Sequence, residues 1–248
     1  MQLVATSPAD GYTLLYVNSI THGTMPAMSK SLAFDPVKDF APIAPLFWYA
    51  NVFLCNPSVT AKNIQELITF AKQNPDKLTN ATAGPGSGHD FIGSFFNSMT
   101  GVKILHVHYK GGGPAAADVV AGHIPLAFAS ASSVTQFLEA GRLIPIGVPS
   151  AKRSVVFPEV PTFTEAGVQG VELNSWVGVL APAHTPEVIV KQLNIEINAV
   201  LAEPEVKAQL QGYGIIAASG SAGDFANEIK RDFDLYGPVT KQAGIKAN

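Results

Sequence analysis

The chain has 248 residues, 47% hydrophobic and 14% charged, the composition of a folded globular protein long enough for one large domain or two lobes. A formal charge of -3 from interspersed acids and bases, with no basic stripe, argues against a nucleic-acid surface. The single cysteine, Cys55, excludes an internal disulfide framework and any cysteine-rich metal site; in the run Asn51-Val52-Phe53-Leu54-Cys55 it reads as a small buried hydrophobe.

No stretch approaches the ~20 apolar residues that span a bilayer, and no basic, apolar and small-residue series opens the chain as a secretion signal would. After Pro8-Ala9-Asp10-Gly11, Tyr12 to Val17 read as a strand, followed by the hydroxyl-bearing segment Asn18-Ser19-Ile20-Thr21-His22. The Pro-rich stretch Phe34 to Pro45 reads as an ordered connection. A helix over Ile64 to Lys72 has Asn63 as N-cap with Glu66 three residues on, and Ile64, Leu67, Ile68 and Ala71 on one face.

From Leu78 to Val148 short strands and helices alternate. Strands are expected at Leu78 to Thr82, Ile104 to His108, Ile124 to Ala129 and Leu143 to Val148. The helices between them are His89 to Met99, Pro114 to Ala121 and Ser133 to Ala140. This alternation predicts a parallel, doubly wound α/β sheet. Further on, helices start at Thr185-Pro186 and Pro204, a short strand covers Ile215 to Ala217, and a last helix runs from Ala222 to Gln242, with an interruption expected at Gly237-Pro238. These helices need a second sheet, assigned to Tyr12 to Val17 with the strand-like segments near Phe53 and Val177.

Ligands of open α/β sheets sit beyond the carboxyl ends of the strands. Three turns there are small and rich in donors: Ala83-Gly84-Pro85-Gly86-Ser87-Gly88-His89, Tyr109-Lys110-Gly111-Gly112-Gly113-Pro114-Ala115, and Ser130-Ala131-Ser132. Glycines let backbone N–H groups approach a ligand closely, Pro114 suits a first helical position, and a helix start adds unpaired donors and its positive dipole end. The guest expected is a small anion.

The first turn lacks the Lys-Ser/Thr ending of a P-loop and the spacing of a dinucleotide fingerprint. Ser87 is flanked two residues away by Pro85 and His89, so it is no nucleophile elbow. His106 and His108 point to one face of their strand as a candidate metal pair, but no third ligand is evident, and neither a metal nor a cofactor is predicted. His89 either donates to a ligand or packs at its helix start, and Lys110 is either the cradle's one cation or a solvated lysine. In Asn174-Ser175-Trp176 a hydroxyl and an indole are on offer, although such a tryptophan is more often core than ligand wall. Paired catalytic carboxylates are absent from these turns, and no enzyme activity is predicted.

Several segments resemble signatures of the Bug receptors, the periplasmic solute-binding proteins of tripartite tricarboxylate transporters. They are Asp10-Gly11-Tyr12-Thr13-Leu14-Leu15, Phe34-Asp35-Pro36-Val37-Lys38-Asp39-Phe40-Ala41-Pro42, His106-Val107-His108-Tyr109-Lys110-Gly111, Ser150-Ala151-Lys152-Arg153-Ser154, Pro158-Glu159-Val160-Pro161-Thr162 and Leu180-Ala181-Pro182. The resemblance runs through essentially the whole chain. It implies a two-lobed type II periplasmic binding protein, a Venus flytrap, with residues 1–55 and 179–248 in one lobe and 56–178 in the cradle lobe. It further implies a periplasmic receptor for a small carboxylate (a di- or tricarboxylate, an aromatic acid or an acidic amino acid), with the membrane subunits of such a transporter as partners. A sensory receptor of the same fold, signalling to a regulatory protein, is the alternative, and a small-molecule hydrolase or transferase a more distant one.

Carried over by position, Gly86, Ser87, Gly111, Gly112, Gly113, Pro114, Ala115, Ser130, Ser132, Ser175 and Trp176 line the cleft from one lobe, and Ser19 and Thr21 from the other; His89 and Tyr109, in the same turns, are further ligand-binding candidates. His108 departs from the proline frequent in the family. Members also carry a signal peptide, a strand, a Pro/Gly-rich ligand loop, a helix and a strand before the segment that resembles Thr6 to Leu15. The chain is therefore read as N-terminally truncated, with an exposed sheet edge that favours self-association.

Overall fold

The computed structural model describes residues 1–24, 32–171, 173 and 175–242; Asn174 lies outside them. A single helical turn, Gln2–Ala5, precedes β1 (Leu15–Asn18), in which Tyr16 faces out and Val17 is buried. Asn18 then caps a π-helical turn, Ser19–Thr24, its side-chain oxygen accepting the Ile20 and Thr21 amides at 3.0 and 2.9 Å. After β2 (Phe40–Tyr49) come β3 (Asn51–Cys55), α1 (Ile64–Gln73), β4 (Thr79–Thr82), α2 (Gly88–Thr100), β5 (Leu105–His108), α3 (Gly112–Val120), β6 (Leu126–Ser130), α4 (Ala131–Glu139) and β7 (Ile144–Gly147). The chain ends with β8 (Trp176–Pro182), α5 (Glu187–Ala202), α6 (Pro204–Gly212), β9 (Ile215–Ala217) and α7 (Ala222–Gln242).

Two compact units result, one from Met1–Tyr49 with Ser175–Ala247, the other from Ala50–Asn174. The chain changes unit at Tyr49/Ala50 and at Asn174/Ser175. The second unit's sheet has the order β5-β4-β6-β3-β7. β4 runs parallel to β5 and β6, as the alternation predicts, while β3 lies antiparallel between β6 and β7.

Phe53 thus belongs to this sheet and not to the one built on Tyr12 to Val17. All five residues of β3 are buried, so the strand needs cover on both faces. Val52 and Leu54 supply one face, in the cluster with Ala115 and Val119 of α3. Phe53 supplies the other, stacked 4.1 Å from its cross-strand partner Phe128 and edge-on to Phe96 and Phe163.

The first unit's sheet, β1-β8-β2-β9, is antiparallel throughout. Its strand β2 occupies the second half of the stretch expected to be a connection. Prolines normally argue against an interior strand because they cannot donate to the ladder. Here the register against β8 slips between Pro42 and Ala44 and again between Pro45 and Phe47, so both prolines sit at bulges. The backbone of α7 remains helical through Gly237-Pro238, and the expected interruption is not there.

Trp176 lies in this unit's core. Its ring meets Phe225 edge-on at 5.1 Å, and its indole N–H donates to Asp232 Oδ2 at 2.6 Å. Asp232 is fully buried, and burial pushes its carboxyl up to about 6, against the opposing pull of the Trp176 donor and Arg231. A raised carboxyl pKa means that the native state holds a proton the unfolded chain has lost. Stability should consequently fall as pH rises from about 4 to about 6. Asp232→Asn keeps an oxygen for the indole and removes the ionisation. In urea melts it should match the parent near pH 4 and exceed it above pH 6, by on the order of 3 kcal/mol at 1.36 kcal/mol per pKa unit.

Candidate functional site

In the second unit the register pairs Thr82 with His108 and Ala81 with Ala127, so β4, β5 and β6 end at the same edge of the sheet. Each then turns into a helix. The first turn is internally tied: Ser87 caps α2 by accepting the Asp90 amide at 3.3 Å, and Asp90 reaches back to accept the Gly86 amide at 2.9 Å. The Ser87 amide donates to Gly84 O at 3.1 Å. The second turn is open. Gly111, at φ +126°, caps α3 without a side chain and no acid stands in the first turn, so the N–H groups of Gly112 and Gly113 project beyond the helix start. Pro114 is the third helical residue and not the first, still within the turn where its missing N–H costs no helical bond.

The third turn begins at Ser130, whose hydroxyl lies 3.3 Å from those of Ser132 and Ser133, while the Ser133 hydroxyl donates to Ser130 O. The three turns meet at Gly112. A β-carbon there would lie 3.9 Å from His89 Cε1 and 4.0 Å from Ser133 Oγ, ordinary contact distances. One residue from each helix start therefore borders the same small space. His89 and Gly112 are among the residues expected at the site, whereas Ser133, expected only as the first residue of its helix, is the third residue of α4, and the Ser130-x-x-Ser133 spacing is its one signal in the sequence.

Burial pushes His89 down to about 4, so near neutral pH its ring offers one donor and one acceptor but no charge. Lys110 is exposed, and Gly113, Pro114 and Ser132 are exposed as well. The side chain of Ala115 points into the core, which leaves only its backbone to a ligand. Tyr109 is committed at both ends: its amide donates to Thr82 O at 3.0 Å and its hydroxyl to Asp118, and burial together with Asp118 pushes the phenol up to about 12.

The same face of β4 and β5 carries Asn80, Thr82, His106 and His108. Sequence reading placed the two imidazoles on one face, and the structure turns both toward Asp90, with His106 Nδ1 at 2.6 Å and His108 Nδ1 at 3.8 Å from Oδ1. His108 Nδ1 also lies 2.9 Å from Thr82 Oγ1. Asp90 is depressed below the usual carboxylate range: burial alone would raise it, but the hydrogen bonds from His106 and Gly86 outweigh that effect.

In the first unit, Ser19 and Ser175 come together at a residue the sequence did not single out. Tyr49 lies beside both serines, its amide donating to Ser175 O at 3.0 Å, and burial raises the pKa of its phenol. Both serines are buried. Thr21 closes the Ser19–Thr24 turn, accepting the Asn18 amide and donating to Asn18 O. Trp176 gives its indole to Asp232, as described above.

The family model for the tripartite tricarboxylate transporter family receptor matches residues 1–245. Among solved structures, an R. palustris protein with adipate is 32% identical, with a TM-score of 0.85 over 99% of this chain and 82% of that one. The periplasmic binding protein BugD is 27% identical, with a TM-score of 0.85 and the same coverage. MatC from Rhodopseudomonas palustris with bound malate is 28% identical, with a TM-score of 0.84 over 96% of this chain and 82% of that one. These neighbours share the two-lobed α/β fold of periplasmic binding proteins.

The depressed His89 has a stability consequence opposite in sign to that of Asp232. The unfolded histidine takes up its proton near 6.5 and the native one only near 4, so stability from this residue is lost as pH falls from about 6.5 to about 4. His89→Asn should flatten that part of the acid limb in denaturant melts between pH 4 and 7.

Proposed function

Because the chain belongs to the tripartite tricarboxylate transporter receptor family, we propose that it is a periplasmic solute receptor holding one carboxylate of a small organic acid on the three helix starts of its second unit. Membrane subunits of a transporter of that class then receive the solute. The reading rests chiefly on the meeting of the three turns at Gly112, bordered by His89 and Ser133. Two free helix-start amides, a neutral imidazole donor and a serine cluster suit an oxyanion, and charge-assisted hydrogen bonds of roughly 1.5–3 kcal/mol each can outweigh an association cost on the order of 4–15 kcal/mol. No arginine is required. His106 and His108 are turned toward Asp90, and the one hydroxyl beside His108, that of Thr82, is fully buried, which favours capture over turnover.

Backbone amides recognise a carboxylate without reading the rest of the molecule. Di- and tricarboxylates, aromatic acids and acidic amino acids are therefore the solutes to screen, beginning with the adipate and malate of the neighbouring structures. A ligand at 100 times its Kd should stabilise the native protein by about 2.7 kcal/mol in a thermal-shift assay. Failure of every acid to shift the melting temperature would sink the proposal.

Gly112→Asp supplies a sharper test. An acid at the first position of α3 favours the helix electrostatically, so the variant should fold. Its carboxylate occupies the proposed anion position, and calorimetric affinity for any acid found should drop at least about 100-fold, some 2.7 kcal/mol. Unchanged affinity would place the anion elsewhere.

A further inference from the structure

The first helix start differs from the other two in already holding an anion, the carboxylate of Asp90. Both of its oxygens are used, Oδ2 by the Gly86 amide at 2.9 Å and Oδ1 by His106 Nδ1 at 2.6 Å. The Gly86 amide is thus withdrawn from ligand binding, and the donors left at this start are those of Gly88 and His89, the first two residues of α2. Behind Asp90, His106 Nε2 and Asn80 Nδ2 are buried without a hydrogen-bond partner among the described residues, and both face Gly93. A β-carbon at Gly93 would stand 2.7 Å from His106 Nε2 and 2.9 Å from Asn80 Nδ2, so glycine alone lets α2 lie this close to the polar face of β4 and β5.

The proton arrangement follows from the chemistry of the groups. Asn80 Oδ1 accepts the Phe128 amide at 3.1 Å, which leaves its NH2 as the donor facing the ring. An ionised carboxylate on Nδ1 demands an N–H there, so the neutral form of the His106 ring is the Nδ1-protonated tautomer, with its Nε2 lone pair toward Asn80. We propose that Asp90 is a positioning residue of the anion cradle: it clamps Gly86 against α2, fixes the His106 tautomer that braces α2 on β5, and so aims the Gly88 and His89 amides at the bound carboxylate. This deepens the receptor reading and rests on it for the ligand, but the clamp itself is measurable without one.

Asp90→Asn is the discriminating variant, since it is nearly isosteric and cannot accept from both Gly86 and His106. In glycine-labelled protein the Gly86 amide resonance should shift and its hydrogen exchange accelerate at least about tenfold. The long-range 15N spectrum of the ring should show His106 moving from the Nδ1-protonated tautomer toward the Nε2-protonated one. Affinity for adipate or malate, measured by calorimetry, should fall at least about tenfold, while Gly112 and Gly113 amide shifts in the unliganded protein stay in place. An unmoved Gly86 amide or an unchanged His106 tautomer overturns the clamp. Displacement of both with undiminished affinity overturns its role in binding. If the parent binds neither acid, the solute assignment has failed for those acids, and the Gly86 and His106 measurements still decide the clamp. Should Asp90→Asn not fold, Gly86 exchange in the parent decides it, slow exchange supporting the clamp and solvent-like exchange refuting it.

Discussion

The parallel register of β4 with β5 and β6 is the constraint on which the candidate site depends. Strands that run the same way and end at one edge must hand the chain to helices that start at that edge, so unpaired N–H groups gather there whatever the side chains. Antiparallel β3 reinforces the arrangement. Its first residue pairs with Ser130, and the carbonyl of Ala50 accepts the Ala131 amide at 2.9 Å, pinning the start of α4. Position thus precedes chemistry, and the sheet supplies the donors before any residue is chosen to tune them.

The tuning separates the three starts. At α3 nothing competes for the donors, since Gly111 caps without a side chain and the first turn carries no acid. At α4 the serine hydroxyls bond one another and can rotate toward an acceptor. At α2 the dipole already faces an internal carboxylate, toward which two imidazoles are turned. A neutral His89 between the first two starts adds a donor without a charge that would have to be stripped of water.

Much of this was legible from residues. The helix starts, the strand alternation and the shared face of His106 and His108 follow from periodicity and turn chemistry alone. What escaped depended on partners distant in sequence. Phe53 could have joined either sheet until its stack on Phe128 was known, and the prolines of β2 argued against a strand that exists because two bulges absorb them. Trp176 was balanced between core and cleft until Asp232, 56 residues on, claimed its indole. Tyr49 carries no local motif, and the Ser87-x-x-Asp90 spacing marks only a helix start; what each residue does appears when His106, Ser19 and Ser175 are brought beside them.

The Gly111-Gly112-Gly113-Pro114-Ala115 sequence shows how such a site stays compatible with a stable fold. Glycine within a helix is destabilising by roughly 0.5–1 kcal/mol relative to alanine, so two glycines opening α3 are a liability if helix formation is all that matters. The residues that follow offset it. Pro114 reduces the freedom of the unfolded chain by an amount worth about 0.4–1 kcal/mol, and Ala115 and Ala116 anchor the first turn in the core beside Val119. Alanine would fit at Gly112 by distance, its nearest contacts being His89 and Ser133 at the edge of van der Waals range. Space within the protein therefore does not require glycine there. What a methyl group would take away is the approach of something else to the amides, between an imidazole and a hydroxyl. That distinction separates a glycine the backbone needs, such as Gly111 at φ +126°, from those whose bareness only an incoming group would use, and Gly112, on which the proposed anion position rests, is of the second kind.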